Sequence, residues 1–228
     1  MNTASKHTIA ILGGTGAEGS GLALRWAHAG HRVIIGSRDL AKAQAKAKAL
    51  GEFLKKGNAP EGSTNVAAAE AADIVVLTVP LLAQQSTIDE VHDALLGKIL
   101  VDTTVPLAPP KVNRVQLPAE GSVVASIQKR LGANVRVVSA FQNVSAHHLK
   151  DLDHAIDCDV LVCGDNADAR SLVIDLVKDL GLRGVHGGPI CNSAAAEALT
   201  SILISINMAY KVPGAGIRIT GVPALDAA

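Results

Sequence analysis

The sequence predicts an α/β protein with a doubly wound, Rossmann-type parallel sheet and a smaller C-terminal α/β portion. The first observation is that short apolar runs alternate with helical stretches, which is typical of parallel sheets. The second is the composition: 48% of the 228 residues are hydrophobic but only 2% are aromatic, so small aliphatic side chains dominate. Such side chains suit buried parallel strands that helices cover on both faces.

Strands and helices alternate through the first part of the chain. Apolar runs bounded by glycine, proline or polar residues predict strands over 8–12, 31–36, 73–79, 98–102 and 135–139. Apolar residues at helical spacing between these runs predict helices over 17–29, 40–56, 82–95 and 122–131. A proline-rich loop, residues 103–110, follows the strand over 98–102.

The pattern changes after residue 139. The sequence there predicts a strand, a helix, a short strand and a long helix over 159–163, 166–180, 182–186 and 192–210. We therefore expect a first domain of residues 1–148 and a small second domain of residues 149–228.

Charge and cysteine content limit the partners and the compartment. The chain has 21 basic and 21 acidic residues, so we expect neither nucleic acid nor a membrane as a partner. Its three cysteines do not form the pattern of a disulfide framework. The start has no signal-peptide pattern, and Glu197 and other polar residues interrupt the apolar stretch 193–210. We expect a cytoplasmic protein.

A glycine-rich turn lies between the first predicted strand and the first predicted helix. It has the G-x-G-x-x-G spacing of dinucleotide-binding turns and reads Gly14-Thr15-Gly16-Ala17-Glu18-Gly19. Gly14 permits a tight turn, Gly16 lets the backbone approach a pyrophosphate, and Gly19 lets helix and strand pack closely. The free N–H groups at the start of the helix attract phosphate. The turn therefore predicts a dinucleotide site.

The end of the second predicted strand indicates which dinucleotide binds. NAD enzymes usually place Asp or Glu there to accept a hydrogen bond from the ribose 2′-hydroxyl. This chain instead has Ser37 and Arg38, and Lys42 follows one turn into the next helix. A hydroxyl and two cations suit a 2′-phosphate, because guanidinium clamps phosphate through paired hydrogen bonds. The sequence therefore predicts NADP, with Asp39 as the N-cap of the following helix.

These residues and several later segments resemble the NADPH-dependent reductases of the deazaflavin coenzyme F420. The later segments are residues 76–80, 139–144, 162–165, 188–193, 197–200 and 216–218. Together with the glycine turn they span nearly the whole chain, so the resemblance extends well beyond the NADP-binding motifs.

The resemblance implies NADP and coenzyme F420 as cofactors, with reversible direct hydride transfer between them. Its NADP residues lie in the glycine turn, after the second strand and in the loops after the fourth and fifth strands: Gly14, Thr15, Gly16, Ala17, Glu18, Ser37, Arg38, Lys42, Leu81 and Val105. Its deazaflavin residues lie in the segment 139–146 and in an end strand near the C terminus: Ser139, Gln142, Asn143, Val144, Ala146 and Ala215. Residues 1–148 would then bind NADP, and residues 149–228 would complete the deazaflavin pocket and a dimer interface.

The residue types agree with hydride transfer. Two stacked rings need close placement and exclusion of water, but no nucleophile and no charged general acid. We expect no catalytic side chain, and the single tyrosine, Tyr210, directly precedes Lys211 instead of forming a Tyr-x-x-x-Lys pair. Two alternatives stay open. One is an NADPH-dependent reductase of a flavin or of a small imine or carbonyl compound on the same fold, and the other is a non-enzymatic NADP-sensing regulator.

Three further features complete the expectations. The stretch 193–210 is apolar on most faces, so we expect it to lie partly in a homodimer interface. His147, His148 and their neighbours match no metal-ligand spacing and predict a solvated loop, with no metal site. Cys191 is expected to pack and not to react.

Overall fold

The computed structural model describes residues 5–222, which form one eight-stranded sheet with helices on both faces. The strands are β1 (Thr8–Leu12), β2 (Arg32–Ser37), β3 (Glu61–Thr64), β4 (Ile74–Leu77), β5 (Ile99–Asp102), β6 (Arg136–Ser139), β7 (Asp159–Gly164) and β8 (Arg183–Gly188). The helices are α1 (Ala17–His28), α2 (Leu40–Phe53), α3 (Asn65–Ala71), α4 (Leu81–Leu95), α5 (Val123–Leu131), α6 (Ala146–Leu149), α7 (Ala167–Asp179) and α8 (Ser193–Tyr210). The predicted α/β fold with a mostly parallel sheet is confirmed.

The order of the strands creates a crevice at one edge of the sheet. The order is β3-β2-β1-β4-β5-β6-β7-β8, and the first six strands in sequence are parallel. The chain moves from β1 outward to β2 and β3, and then returns to place β4 on the other side of β1. Ligands of doubly wound sheets bind at such a switch point, beyond the carboxyl ends of the strands. The loops after β1, β2 and β4 meet there.

Aliphatic side chains alternate between the two faces of the sheet and build two cores. On β1, Ile9 and Ile11 belong to one core, while Ala10 and Leu12 belong to the other. The first core includes residues of α1, α2 and α7, and the second includes residues of α3, α4 and α5. Because both faces are buried, the central strands read as continuous apolar runs.

The last two strands extend the same sheet in the opposite direction. β7 is antiparallel to β6 through the pairs Val138–Gly164 and Ser139–Cys163, and β8 is parallel to β7. Arg25 of α1 ties this portion to the first by donating to the carbonyl oxygens of Leu149 and Leu180, among others. Both parts contribute strands to one sheet. The division into residues 1–148 and 149–228 stays a prediction.

The sequence missed two short elements, β3 and α3. β3 is an edge strand of sequence Glu-Gly-Ser-Thr, so it lacks the aliphatic residues that mark a strand. α3 is only seven residues long, with Thr64 as its N-cap.

Two other expectations were wrong. Residues 212–220 form no strand, since this segment near Ala215 instead runs past the start of β7, where Asp159 N donates to Ile217 O at 2.8 Å. Cys191 does not pack, because it lies exposed in the short 3-10 turn Ile190–Asn192.

Helix α8 is covered on one side only. Its buried side carries polar groups bonded to the rest of the chain, including Glu197 and Ser201. Its other side exposes the large apolar side chains of Ile202 and Ile206, and Met208 and Tyr210 are exposed near its C-terminal end. Within residues 5–222, the stretch Ile190–Tyr210 is also the one helical segment whose length and mean hydropathy of 1.2 would allow it to cross a membrane.

Candidate functional site

The turn between β1 and α1 lies at the crevice. The chain reverses at Gly13, whose φ of +80° lies in the left-handed region, and Gly16 N donates to Gly13 O at 2.9 Å. The tight turn is therefore made by Gly13, one residue before the predicted Gly14. Gly14 is required for space instead, since a Cβ there would lie 2.8 Å from Ile11 O.

The other two glycines of the turn fulfil different requirements. A Cβ at Gly19 would lie 2.4 Å from Thr78 Oγ1, so glycine lets α1 pack against the end of β4. Gly16 is exposed and is the N-cap of α1, and it brings no side-chain cap to the first turn. The first-turn N–H groups are therefore available to an anion, and the backbone is open to close approach.

A cavity of about 220 Å³ opens beside this turn. Its walls come from the ends of β1, β2 and β4 and the starts of α3 and α4: Gly13, Thr15, Gly16, Ser37, Arg38, Asn65, Thr78, Val79, Pro80, Ala83 and Thr87. The structure thus brings together four of the residues predicted to bind NADP. We call this space the loop cavity.

The charged wall of the loop cavity is the end of β2. Arg38 is exposed, and within residues 5–222 it makes neither an ion pair nor a side-chain hydrogen bond. Ser37 Oγ accepts a hydrogen bond from Asp39 N at 3.1 Å, which leaves its own hydrogen free to donate. Asp39 caps α2 through Lys42 N at 3.1 Å, as predicted, and its carboxylate lies 3.6 Å from Lys42 Nζ.

The segment 139–146, predicted to bind the deazaflavin, leaves β6 and passes beneath α8. Ser139, Gln142, Asn143 and Val144 are buried, while Ala146 is half-buried. The segment is tied to α8, because Asn143 Nδ2 donates to Ala196 O at 2.8 Å and Thr200 Oγ1 donates to Gln142 O at 2.8 Å. It does not line the loop cavity.

Phe141 sets the direction of this segment. Its φ of +75° is unusual for a residue with a bulky side chain. The ring is fully buried and meets Trp26 edge to face, with ring centroids 5.7 Å apart. This packing holds the strained backbone and turns the next residue toward β5, where Gln142 Nε2 donates to Asp102 O at 2.8 Å.

Two buried carboxyl groups, those of Glu18 and Asp102, interact electrostatically near the end of β5. Burial and the nearby charge of Asp102 raise the pKa of Glu18 to about 8, although the Thr103 hydroxyl acts in the opposite direction. Burial also raises the pKa of Asp102, which is fully enclosed at the end of β5. Gln84 Nε2 and Thr104 N donate to its two oxygens at 2.7 and 2.9 Å, which lowers its pKa in part.

Several buried oxygen atoms near Asp102 have no hydrogen-bond partner. They are Glu18 Oε1, Thr104 Oγ1, Ser139 Oγ and Gln142 Oε1. A buried polar atom without a partner costs about 1–3 kcal/mol, so a concentration of them calls for a functional explanation.

The remaining predicted residues lie outside the loop cavity. Leu81 begins α4 and lines a separate groove of about 480 Å³ between α4 and α5. Val105 is half-buried three residues after the end of β5. Ala215 is half-buried near the C terminus, where its N–H donates to Asn207 Oδ1 at 2.7 Å. Leu81, Val105 and Ala215 therefore do not line the loop cavity.

Comparison with known proteins agrees with this geometry. Residues 8–106 match the family described as NADP oxidoreductase, coenzyme F420-dependent. The chain is 44% identical over 219 residues to the F420-dependent NADP reductase of Methanocaldococcus jannaschii, covering 93% of this chain and 97% of that one. The enzyme of the same name from Methanothermobacter marburgensis is 41% identical, with coverages of 94% and 99%. The chain belongs to the F420-dependent NADP reductase family.

A solved structure supports the membership. A protein from Arthrobacter sp. FB24, whose crystal structure carries the description F420-dependent NADP reductase, has a TM-score of 0.78 at 28% identity. The match covers 94% of this chain and 99% of the other. The fold of this family member is therefore shared over nearly its full length.

Sequence reasoning missed several residues at the site of this family member. Thr78 and Pro80 line the loop cavity, and their position directly after β4 is a signal that was present in the sequence. Asn65 also lines it, but it follows the unpredicted β3. Asp102 ends β5, yet only the structure shows that its charge raises the pKa of Glu18. Within residues 5–222 no group of three or more His, Cys, Asp or Glu side chains could hold a metal ion.

Proposed function

We propose that this chain catalyses reversible, direct hydride transfer between NADP(H) and the deazaflavin coenzyme F420. The observation that carries the NADP half is Arg38, which makes no ion pair with another residue of 5–222 and lies beside Ser37 on the wall of the loop cavity. A free guanidinium and a free hydroxyl hydrogen suit the 2′-phosphate that distinguishes NADP from NAD. The deazaflavin half is supported by the family.

The residues of the glycine turn fit the pyrophosphate. Thr15, Gly16, Ala17 and Glu18 provide backbone N–H groups at the start of α1, and the exposed Gly16 adds no side chain to obstruct a phosphate. In this assignment Lys42 adds a second cation near the 2′-phosphate, while Leu81 and Val105 flank the nicotinamide half. The bound dinucleotide supplies the hydride, and the protein supplies placement and exclusion of water.

The deazaflavin is assigned to the segment 139–146. Its backbone and side chains, from Ser139 through Gln142, Asn143 and Val144 to Ala146, follow β6 at the same edge of the sheet as the glycine turn. In this proposal residues 149–228 complete the pocket, with Ala215 near its outer end. The packing of α8 over Gln142 and Asn143 then links the pocket to the second portion of the chain.

We further propose that the enzyme is a cytoplasmic homodimer. Ile202 and Ile206 give α8 an exposed apolar side, and Met208 and Tyr210 are exposed near its end; a second copy of the chain would cover these side chains. Its buried side binds α5 through Glu197, which is typical of a helix that belongs to the fold of a water-soluble domain. Light scattering at micromolar concentration should give twice the mass of 23.3 kDa, and a mass of one chain would contradict the dimer.

The activity itself is tested by a spectroscopic assay. Purified protein is mixed with NADPH and oxidised F420, and the loss of deazaflavin absorbance is followed. Parallel reactions replace F420 with FMN, or NADPH with NADH. We expect rapid turnover only with NADPH and F420. Turnover with FMN and none with F420 would instead support a flavin reductase.

A further inference from the structure

We propose that Asn65 recognises the adenine base of NADP(H): its side-chain oxygen accepts a hydrogen bond from the exocyclic amino group of the base. This inference rests on the proposed function, because it assumes that NADP(H) occupies the loop cavity. Ser37 and Arg38 were assigned above to the 2′-phosphate, and Asn65 adds recognition of the base that the same ribose carries. Asn65 would then set nucleotide specificity without contact with the reacting atoms.

The assignment of Ser37 and Arg38 decides which part of the dinucleotide lies at the loop cavity. In NADP the 2′-phosphate and the adenine base are attached to neighbouring carbon atoms of one ribose. Because Ser37 and Arg38 line the loop cavity, the adenine base belongs to this cavity as well. The volume of about 220 Å³ is below the range of about 300–1,000 Å³ that is usual for drug-sized ligands, so the cavity suits one part of a dinucleotide.

The apolar part of the cavity wall suits a flat aromatic base. Val79, Pro80 and Ala83 line the cavity along the loop after β4 and the first turn of α4. Binding pockets typically combine such apolar walls with a few polar groups that fix the orientation of the ligand. The polar groups on this wall therefore indicate how a base would be oriented.

Two buried polar side chains on the cavity wall lack a hydrogen-bond partner. Asn65 at the start of α3 is 3% exposed, and Thr87 of α4 is 4% exposed. Within residues 5–222, neither Asn65 Oδ1 nor the Thr87 hydroxyl forms a hydrogen bond. Thr78 on the same wall differs, because its hydroxyl donates to Leu12 O at 3.0 Å. Buried polar atoms are nearly always paired, so the two exceptions on one cavity point to a ligand.

Glu90 of α4 determines which end of the Asn65 amide remains for a ligand. Asn65 Nδ2 donates to Glu90 Oε2 at 2.9 Å, and the opposite orientation of the amide would bring two oxygen atoms together. The oxygen Oδ1 is therefore the free end. It lies beside the end of β2, because a Cβ on Gly36 would be 3.1 Å from it. Gly36 directly precedes Ser37, so this acceptor lies next to the proposed 2′-phosphate site.

The hydrogen-bonding groups of adenine complement these two side chains. The exocyclic amino group of adenine donates, and its ring nitrogens accept. An amide oxygen only accepts, so Asn65 Oδ1 suits the amino group, while the Thr87 hydroxyl can donate to a ring nitrogen. Hypoxanthine carries a carbonyl oxygen in place of the amino group and would set one acceptor against another. A buried site that pairs with a ligand group discriminates strongly against an analogue that lacks this group.

The experiment compares the binding of two nucleotides that differ only in the base, without F420. Isothermal titration calorimetry gives the Kd of NADP⁺ and of nicotinamide hypoxanthine dinucleotide phosphate. We expect the wild type to bind the hypoxanthine analogue about 10- to 100-fold more weakly. Asn65→Ala should bring the ratio of the two Kd values close to one. A general loss of structure affects both nucleotides and therefore cancels in this ratio.

Further variants separate recognition of the base from other effects. Glu90→Ala keeps Asn65 but frees its amide to turn, so the ratio should fall, and this variant decides the matter if Asn65→Ala does not fold. Arg38→Ala should weaken the binding of both nucleotides equally and leave the ratio unchanged. Asn58→Ala is the matched control: it removes an exposed amide that bonds to Gly30 O at 2.8 Å and does not line the loop cavity.

The outcomes separate this inference from the proposed function. A wild type that binds both nucleotides equally would overturn the inference, and so would an Asn65→Ala variant that keeps the wild-type ratio. In both cases NADP⁺ still binds, and the proposed function stands. A wild type that binds neither nucleotide would instead count against the proposed function itself.

Discussion

Glu197 Oε2 on α8 accepts a hydrogen bond from Val123 N at 2.9 Å, so a carboxyl group from the last helix caps the first turn of α5. The same carboxyl group accepts from Ser122 Oγ at 2.6 Å and from Val124 N at 3.2 Å. Ser122 is itself the N-cap of α5. A single acid therefore joins the helix that covers the segment 139–146 to a helix that covers the sheet.

Glu197→Ala should lower the free energy of unfolding by about 3 kcal/mol, because it leaves buried N–H groups without an acceptor. Urea denaturation measures this loss. Glu70→Ala, which removes an exposed acid from α3, should change stability by less than about 0.5 kcal/mol. Equal effects of the two substitutions would mean that the cap contributes nothing to the fold.

Arg38→Ala should raise the KM for NADPH by about 30-fold and change the KM for NADH little. The reason is the loss of a charge-assisted clamp on the 2′-phosphate, which is worth on the order of 2 kcal/mol. Steady-state kinetics with both nucleotides provide the measurement. Lys48→Ala on the exposed side of α2 serves as the charge-matched control. An equal rise in the KM for NADH would show that Arg38 does not recognise the 2′-phosphate.

Gly19→Ala should destabilise the protein and weaken nucleotide binding. The new Cβ would lie 2.4 Å from Thr78 Oγ1 and 2.8 Å from Gly14 Cα, so α1 must move away from β4. A strained packing change of this kind costs about 1–3 kcal/mol. Gly51→Ala is the control: its Cβ meets only Ala59 Cβ, at 3.4 Å, so α2 should gain up to about 1 kcal/mol. Thermal melting compares the two variants.

Glu18→Gln should stabilise the free protein at alkaline pH. The folded pKa of about 8 exceeds the ordinary glutamate value of 4.5, so the folded protein binds this proton more tightly than the unfolded chain does. The stability linked to this group is therefore full below pH 4.5 and declines as the pH rises through 8. Glutamine resembles the neutral acid but cannot ionise, so the variant should keep its stability as the pH rises.

The difference is measured by thermal melting over a range of pH. The variant should exceed the wild type by about 4 kcal/mol near pH 8.5, or about 10 °C, and by less than about 1 kcal/mol near pH 5. A constant difference across this range would show that Glu18 does not titrate as the structure indicates.

The sequence predicted the long elements well and the short ones poorly. β1, β4 and β5 were found because burial on both faces makes them continuous aliphatic runs. β3 was missed because an exposed edge strand needs no aliphatic side chains to pair with its neighbour, and Glu61–Thr64 has none. The prediction of an end strand near Ala215 was wrong, because a segment rich in β-branched residues can lie beside a sheet without forming its backbone hydrogen bonds.

The site was predictable where it depends on local sequence. The glycine turn and the Ser37–Arg38 pair lie in single loops, and the structure places them on one cavity. The proximity of Glu18 and Asp102 was not predictable, because 84 residues of chain separate them and only the strand order joins them. The sequence did not predict Asn65 as a site residue for a related reason, because Asn65 directly follows the unpredicted strand β3.

The two-pair ladder between β6 and β7 makes this sheet unequal in strength along its width. β1 and β2 share five residue pairs, whereas β6 and β7 share only Val138–Gly164 and Ser139–Cys163. Local opening begins where few backbone hydrogen bonds must break. Amide deuterium should therefore enter β7 and β8 while β1 and β4 stay protected, and the outer quarter of the sheet would open as a unit beside the segment 139–146.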